Sequence, residues 1–294
     1  MVSAAPHLSD TTRSLSIPAA LAVYWHLLSL DAPTVAAVWS WSFARAAHID
    51  LPRFAPLLLA VGTWLVYVAD RILDGLDSAN RAHLRERHYF YSQHRKMFLA
   101  AGAIVSPVFV WIVFTRMSPA VRLEDAAVFA VAALYFLLVH AHGPRVEHWL
   151  PKELAVGVLF AAATAVPTWA RIEGHRHTLI PSIAVFAVLC WLNCVAIEVW
   201  EWPTVPRTGP SAHRTTVWAG QHLLPLAAGT AFLSAALAFV HLHSSALFFL
   251  YLASAMAALL LLGLARSRHF TVMQLRVAVD AVLLTPLFFA AWMR

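Results

Sequence analysis

The sequence predicts an all-α membrane protein with about nine transmembrane helices. Of its 294 residues, 61% are hydrophobic and 12% are charged, which is about half the charged share of an ordinary soluble domain. Apolar stretches of roughly 17 to 25 residues recur along the chain, and at ~1.5 Å per residue each can cross a ~30 Å hydrocarbon layer. Charged, proline-rich or glycine-containing connectors separate these stretches. The composition therefore argues against a water-soluble fold.

These connectors divide the chain into nine apolar segments. The segments cover residues 20–47, 54–77, 96–115, 123–142, 152–171, 179–202, 215–240, 243–265 and 271–292. The first is either one span kinked near Asp31-Ala-Pro33 or an interfacial helix followed by a short span. No domain boundary, low-complexity tract or clear internal repeat interrupts the series, so residues 1–294 are expected to form a single integral membrane domain. Residues 1–16 are polar, lack a secretory signal and are expected to form a flexible cytoplasmic N-terminus.

Lysine and arginine residues set the expected orientation in the membrane. With the N-terminus in the cytoplasm, fourteen of them lie on the cytoplasmic side and seven on the other, which follows the positive-inside rule. The ends of the second and sixth segments then lie on the cytoplasmic side. The same distribution explains the formal net charge of +6 without nucleic acid, because the arginines form no continuous basic tract.

Acidic residues gather where the second segment ends. In "YVADRILDGLDSANR", residues 67–81, Asp70 and Asp74 are four positions apart on a helix, so they share a face that Asp77 can also reach. A carboxylate costs ~2.5–3.5 kcal/mol at the bilayer centre and less near the interface, so the cluster requires a compensating cation. Mg²⁺ is suitable because it takes one or two carboxylates, several waters and substrate phosphates. Alternatively, the acids only mark the water interface, with Asp70 paired to Arg71.

A second acidic cluster lies where the sixth segment ends, in "LNCVAIEVWEWP". Asn193 and Glu201 lie on one stripe of the helix, and Glu198 is three positions before Glu201. Pro203 disfavours helix at the residue before it, so Glu201 is expected in the last helical turn. We therefore expect the two acidic helix ends to face each other across a cavity on the cytoplasmic side.

This arrangement resembles the UbiA superfamily of intramembrane prenyltransferases over nearly the whole chain. Members of that family have nine helices in a bundle around a central cavity, with an Asn-Asp-x-x-Asp-x-x-x-Asp motif after the second helix. Asp70 and Asp74 match the last two aspartates of that motif, and Arg71 matches an arginine frequently found after the middle aspartate. Val66 and Tyr67 stand where the family has the asparagine and the first aspartate.

The second family motif is of the Asp-x-x-x-Asp type and follows the sixth helix. Neither Asn193-x-x-x-Ile197 nor Ile197-x-x-x-Glu201 reproduces its paired aspartates. Glu198 and Glu201 can take their place with longer side chains.

The resemblance implies a Mg²⁺-dependent enzyme that ionises an isoprenoid diphosphate and transfers the prenyl group to a lipophilic or aromatic acceptor. Its metal ligands would be Asp70, Asp74, Asp77, Glu198 and Glu201, of which all but Asp77 would also be catalytic. Its substrate contacts would be Asn193, Arg71, Arg81, Lys152, Arg207 and Tyr67, because cationic side chains suit diphosphate oxygens and aromatic faces stabilise cationic carbon. The expected partners are the isoprenoid diphosphate and the lipid bilayer, with no nucleic acid. The expected location is the inner (plasma) membrane of a bacterium, with the active site facing the cytoplasm.

Other functions stay open on the sequence alone. A UbiA-type terpene cyclase would ionise the same diphosphate and let the cation close on itself. A transporter would use the acids, together with Arg276 and Asp280, as an ion or proton pathway, and a lipid-binding protein would need no catalysis.

The remaining polar residues are expected to be structural. Arg276 and Asp280 are four positions apart in the ninth segment, and we expect them to neutralise each other there. Three "His-x-His" pairs place their histidines on different faces of a helix, so they predict no histidine metal site. Cys190 and Cys194 are the only cysteines, and both are expected to be packing residues.

Overall fold

A computed structural model describes residues 17–74, 86–142, 151–201 and 213–293. Within these ranges the chain is helical and contains no β-strand, which confirms the predicted all-α class. The predicted N-terminal tail, residues 1–16, lies outside them. The first helices in chain order are α1 (Ile17–Leu27), α2 (Asp31–Ala46), α3 (Phe54–Asp74), α4 (Glu86–Gln93), α5 (Arg95–Arg116) and α6 (Pro119–His142).

The second part of the chain continues the same pattern. Its helices are α7 (Lys152–Trp169), α8 (Ile180–Glu201), α9 (Arg214–Gln221), α10 (Leu223–Val240), α11 (Ser245–Arg266) and α12 (Val272–Val282). Short 3₁₀ turns precede α8 at Arg176–Leu179 and follow α12 at Thr285–Phe289. Helix α8 is described as far as Glu201, and the residues that follow lie outside the described ranges, so the position of Glu201 in the last turn stays a prediction.

Several of these helices are long and apolar enough to cross a membrane. Among the described residues there are five such segments, Phe54–Leu73, Arg95–Arg116, Arg176–Glu201, Leu223–Val240 and Ser245–Arg266. Helices α1 and α2 together make a sixth if they are counted as one bent span. The protein is therefore an integral membrane protein by the length and composition of its helices. The prediction of nine spans exceeds the five or six that meet these criteria.

A sharp break separates α1 from α2. The two helix axes differ by 87°, and Ser29 between them has a positive φ of 52°. The break lies at the predicted position near Asp31, and it fits both a kinked span and an interfacial helix followed by a short span. Two side chains hold the broken segment in place. The indole Nε1 of Trp64 on α3 donates to the Leu28 carbonyl at 3.2 Å, and the Tyr91 hydroxyl on α4 donates to Ser29 Oγ at 3.1 Å. Trp64 therefore satisfies a carbonyl that the break leaves without a helical partner, and Tyr91 holds the side chain of Ser29.

Helix α8 lies at the centre of the bundle. It packs against α7, α9, α10, α11 and α12. Half of the residues in its most apolar 18-residue stretch are buried, compared with 6% of those in the corresponding stretch of α5. Its close approach to α7 needs a small residue, since a Cβ at Gly157 would lie 2.8 Å from the backbone nitrogen of Trp191. Small residues at helix interfaces are typical of membrane bundles, where close van der Waals packing drives association.

An aromatic stack fixes α2 to α8. The rings of Trp39 and Phe186 are stacked with centroids 4.1 Å apart, and Phe43 packs against both rings. The indole Nε1 of Trp39 also donates to the Leu283 carbonyl just after α12, at 2.7 Å. Trp39 thus links α2 to α8 and to the end of α12. These three helices carry polar side chains that are described below.

Candidate functional site

Three ionisable side chains, one from each side of the break between α1 and α2 and one from the distant helix α12, meet at that break. His26 is on the last turn of α1, Asp31 is the first residue of α2, and Asp280 is on α12. The Nδ1 atom of His26 lies 2.7 Å from Asp31 Oδ2 and 3.3 Å from Asp280 Oδ2. His26 and Asp31 are buried, and the Asp280 side chain is 15% exposed. We call these three residues the His–Asp cluster.

The two carboxylates of the His–Asp cluster are oriented in the same way. The backbone N–H of Ala32 donates to Asp31 Oδ1 at 2.9 Å, and the side-chain amide of Asn193 donates to Asp280 Oδ1 at 3.2 Å. In each carboxylate, an amide thus holds Oδ1 while Oδ2 faces the imidazole. Asn193 also donates to the Val279 carbonyl at 2.9 Å, so it joins α8 to α12 at this level.

The last turns of α3 approach the same region. Val68 and Ile72 on α3 belong to the hydrophobic cluster that contains Leu27 and Tyr91, beside the break between α1 and α2. The Arg71 guanidinium lies 3.3 Å from Asp70 Oδ2 and stands over the Tyr67 ring, 5.8 Å from its centroid.

A buried ion pair joins the end of α8 to the beginning of α12. Glu201 and Arg276 are 3% and 4% exposed, and their carboxylate and guanidinium form a salt bridge. The prediction that Arg276 and Asp280 pair with each other is therefore wrong. Arg276 is paired with Glu201 on another helix, while Asp280 faces His26 and Asn193.

The other predicted site residues are spread around this region. Asp74 is the last residue of α3, one turn beyond Asp70, and Glu198 is half-buried on α8. Lys152 is exposed at the first position of α7. Asp77, Arg81 and Arg207 lie outside the described residues.

The residue types at the end of α3 are those that a hard divalent cation prefers. Asp70 and Asp74 lie on successive turns of one helix, and carboxylate oxygens are the ligands that Mg²⁺ prefers. Asp70 and Glu201 each already have a guanidinium as a neighbour, Arg71 for Asp70 and Arg276 for Glu201. The His–Asp cluster is different again, since it combines one nitrogen donor with two oxygen donors.

The His–Asp cluster is the part of the site that the sequence analysis missed. Two features of the sequence pointed to this cluster separately, the interruption predicted near Asp31 and the presence of Asp280 within a predicted span. An ionisable residue within a span is a functional candidate by default. His26 carried no signal of its own among sixteen histidines. More than two hundred positions separate Asp31 from Asp280, so only the helix arrangement brings them together.

An apolar groove between α3 and α5 is separate from this site. It is lined by Phe54, Leu57, Leu58, Val61, Ile104, Val105, Val108, Phe109 and Ile112. Asp70 follows Val61 by nine positions, about two and a half helical turns, so the two side chains lie on opposite faces of α3. The groove therefore does not open into the polar region around Tyr67.

Comparison with models of known protein families, with curated proteins and with solved structures finds no match.

Proposed function

We propose that this protein is a Mg²⁺-dependent intramembrane prenyltransferase of the UbiA type, with nine spans and its site facing the cytoplasm. The observation that carries the proposal is that α3 and α8 both reach the break between α1 and α2. Trp64 on α3 donates to the Leu28 carbonyl at the break, and Asn193 on α8 donates to Asp280, which faces His26. We infer that the acidic ends of α3 and α8 share one polar region, as a common diphosphate site requires.

In this proposal, Asp70 and Asp74 bind the metal, together with Asp77 and, from α8, Glu198. When bound, Mg²⁺ would neutralise the diphosphate and stabilise it as a leaving group. Glu201 holds the Arg276 guanidinium at the same end of the bundle. Arg81, Lys152 and Arg207 supply further positive charge to the diphosphate oxygens.

Tyr67 is the aromatic residue that would stabilise an allylic cation in this proposal. The Arg71 guanidinium stands over one face of its ring, 5.8 Å from the centroid, so the opposite face would receive the cation. Asn193 keeps the backbone of α12 and the Asp280 carboxylate in register with α8. The apolar bundle around these residues excludes water, which protects a cation from hydrolysis.

The proposal predicts that diphosphate release depends on the two aspartates of α3. Purified full-length protein is incubated with Mg²⁺ and a panel of prenyl diphosphates, with and without aromatic acceptors, and diphosphate release and product mass are followed. We expect Asp70→Ala and Asp74→Ala each to lower turnover by at least about a hundredfold, because each removes charge that holds the metal. Chelation of Mg²⁺ should have the same effect.

The matched control is Asp50→Asn, since Asp50 is fully exposed in the connector at the other end of α3. Its turnover should equal that of the wild type. Unchanged turnover in both α3 variants would overturn the assignment of the site. A cyclic hydrocarbon or alcohol formed without an acceptor would identify the enzyme as a terpene cyclase that uses the same residues.

A second candidate function is ion or proton transport, which the helix break favours. Transporters place their binding sites where a spanning helix is interrupted, and the His–Asp cluster lies at the 87° break between α1 and α2. Proteoliposomes with an internal pH indicator test this candidate. A proton flux that His26→Gln removes would support transport, and equal flux in protein-free vesicles would exclude it.

A further inference from the structure

We propose that the His–Asp cluster is a binding site for a divalent transition-metal ion of the Zn²⁺ or Mn²⁺ type. His26, Asp31 and Asp280 would each supply one ligand atom. This site is distinct from the Mg²⁺ site proposed on α3, and it does not depend on prenyl transfer.

The spacing of the three side chains suits a single ion. One ligand atom from each residue lies within 4.8 Å of the other two. Atoms bound to Zn²⁺ at about 2.0–2.1 Å, with angles between a right angle and the tetrahedral angle, lie about 2.9–3.4 Å from one another. The distances from His26 Nδ1 to the two Oδ2 atoms, 2.7 and 3.3 Å, are close to that range.

Charge balance favours a cation at this position when both carboxylates are ionised. Two carboxylates beside one imidazole carry a charge of −2 in a buried region when the imidazole is neutral, and a protonated imidazole balances only half of it. The arginines of this region already contact other acids, Arg71 with Asp70 and Arg276 with Glu201. One divalent ion would balance both carboxylates and leave the imidazole neutral, as a metal ligand must be.

The two carboxylates of the cluster are held as ligating carboxylates usually are, by further hydrogen bonds. Ala32 and Asn193 hold the Oδ1 atoms so that both Oδ2 atoms face Nδ1. The histidine differs from the usual arrangement, because a ligating histidine normally donates its second ring N–H, and the buried Nε2 of His26 has no hydrogen-bond partner in the described part of the chain.

The donor set distinguishes this ion from Mg²⁺. Imidazole suits zinc and iron, and carboxylate also suits manganese, whereas Mg²⁺ prefers oxygen donors and retains its waters. Three protein ligands leave at least one position on a tetrahedral ion for water or another ligand. Such an ion would also tie α12 to the break between α1 and α2.

The experiment titrates metal-stripped, full-length protein with Co²⁺ and Zn²⁺ in the presence of excess Mg²⁺. We expect one tightly bound ion and Co²⁺ ligand-field absorption that Zn²⁺ displaces. His26→Gln, Asp31→Asn and Asp280→Asn should each weaken binding by at least about 10- to 100-fold, the size of effect seen even for residues that only orient ligands. Asn193→Ala should weaken it as well.

The control is the double variant His48→Asn, Asp50→Asn, which removes an exposed histidine and an exposed carboxylate. Asparagine tolerates the positive φ of 55° at His48, so this variant should fold and bind as the wild type does. Equal binding in the three ligand variants would overturn the proposal. If those variants fail to fold, absence of Co²⁺ absorption in the wild type overturns it equally. Asp70→Ala should keep the absorption, which separates this site from the proposed diphosphate chemistry.

Discussion

Replacing Arg276 with methionine is expected to destabilise the protein by about 3–5 kcal/mol, because it leaves the buried Glu201 carboxylate without its cation. Both side chains are almost completely buried where α8 ends and α12 begins. Neither charge can turn to water without separating the two helices. The unfolding free energy of each variant is measured in detergent by denaturant titration.

The matched control is the double variant Arg276→Met, Glu201→Leu. A buried ion pair replaced by apolar residues of similar volume is often neutral in stability, so the double variant should recover most of the loss. A double variant as unstable as Arg276→Met would contradict the pairing, because the second substitution would then have removed no uncompensated charge.

Replacing Trp39 with alanine is expected to cost about 3–5 kcal/mol of unfolding free energy, since it empties a fully buried aromatic site. The substitution removes the stack on Phe186 and the hydrogen bond to the Leu283 carbonyl. Trp39→Phe should keep most of the stack and lose about 1 kcal/mol for the hydrogen bond. Thermal unfolding of the purified variants measures both changes.

Trp111→Ala is the control for this prediction, because Trp111 lies on α5 and is 61% exposed. Its unfolding temperature should stay close to that of the wild type. Equal losses for Trp39→Ala and Trp111→Ala would contradict the packing of α2 on α8, since burial would then make no difference.

The sequence was sufficient for the features that depend on local pattern. Apolar runs predicted the all-α class, and the segment near Asp31 predicted an interruption of the first apolar stretch, where α1 and α2 meet. Each of these follows from residues that are neighbours in the chain. Composition alone also predicted an integral membrane protein.

The polar partnerships could not be predicted in the same way. The spacing of Arg276 and Asp280 suggested a local pair, but Glu201 lies closer to Arg276 because α8 and α12 run antiparallel past each other. A buried charge takes the partner that the tertiary packing brings nearest. The His–Asp cluster depends on the same packing, together with the bend that turns His26 back towards Asp31.

The most direct test of the central claim is a crosslink between α3 and α8. The claim is that the acidic ends of these helices meet in one polar region, which requires Tyr67 on α3 to lie close to Cys194 on α8. Because Cys190 and Cys194 are the only cysteines, Tyr67→Cys in a Cys190→Ala background leaves one pair of thiols. We expect a short bifunctional methanethiosulfonate to join that pair, whereas Val66→Cys, on the exposed side of α3, should not be joined. If the thiols at positions 67 and 194 are both shown to be reactive and still form no crosslink, the claim that the two helix ends share one region is contradicted.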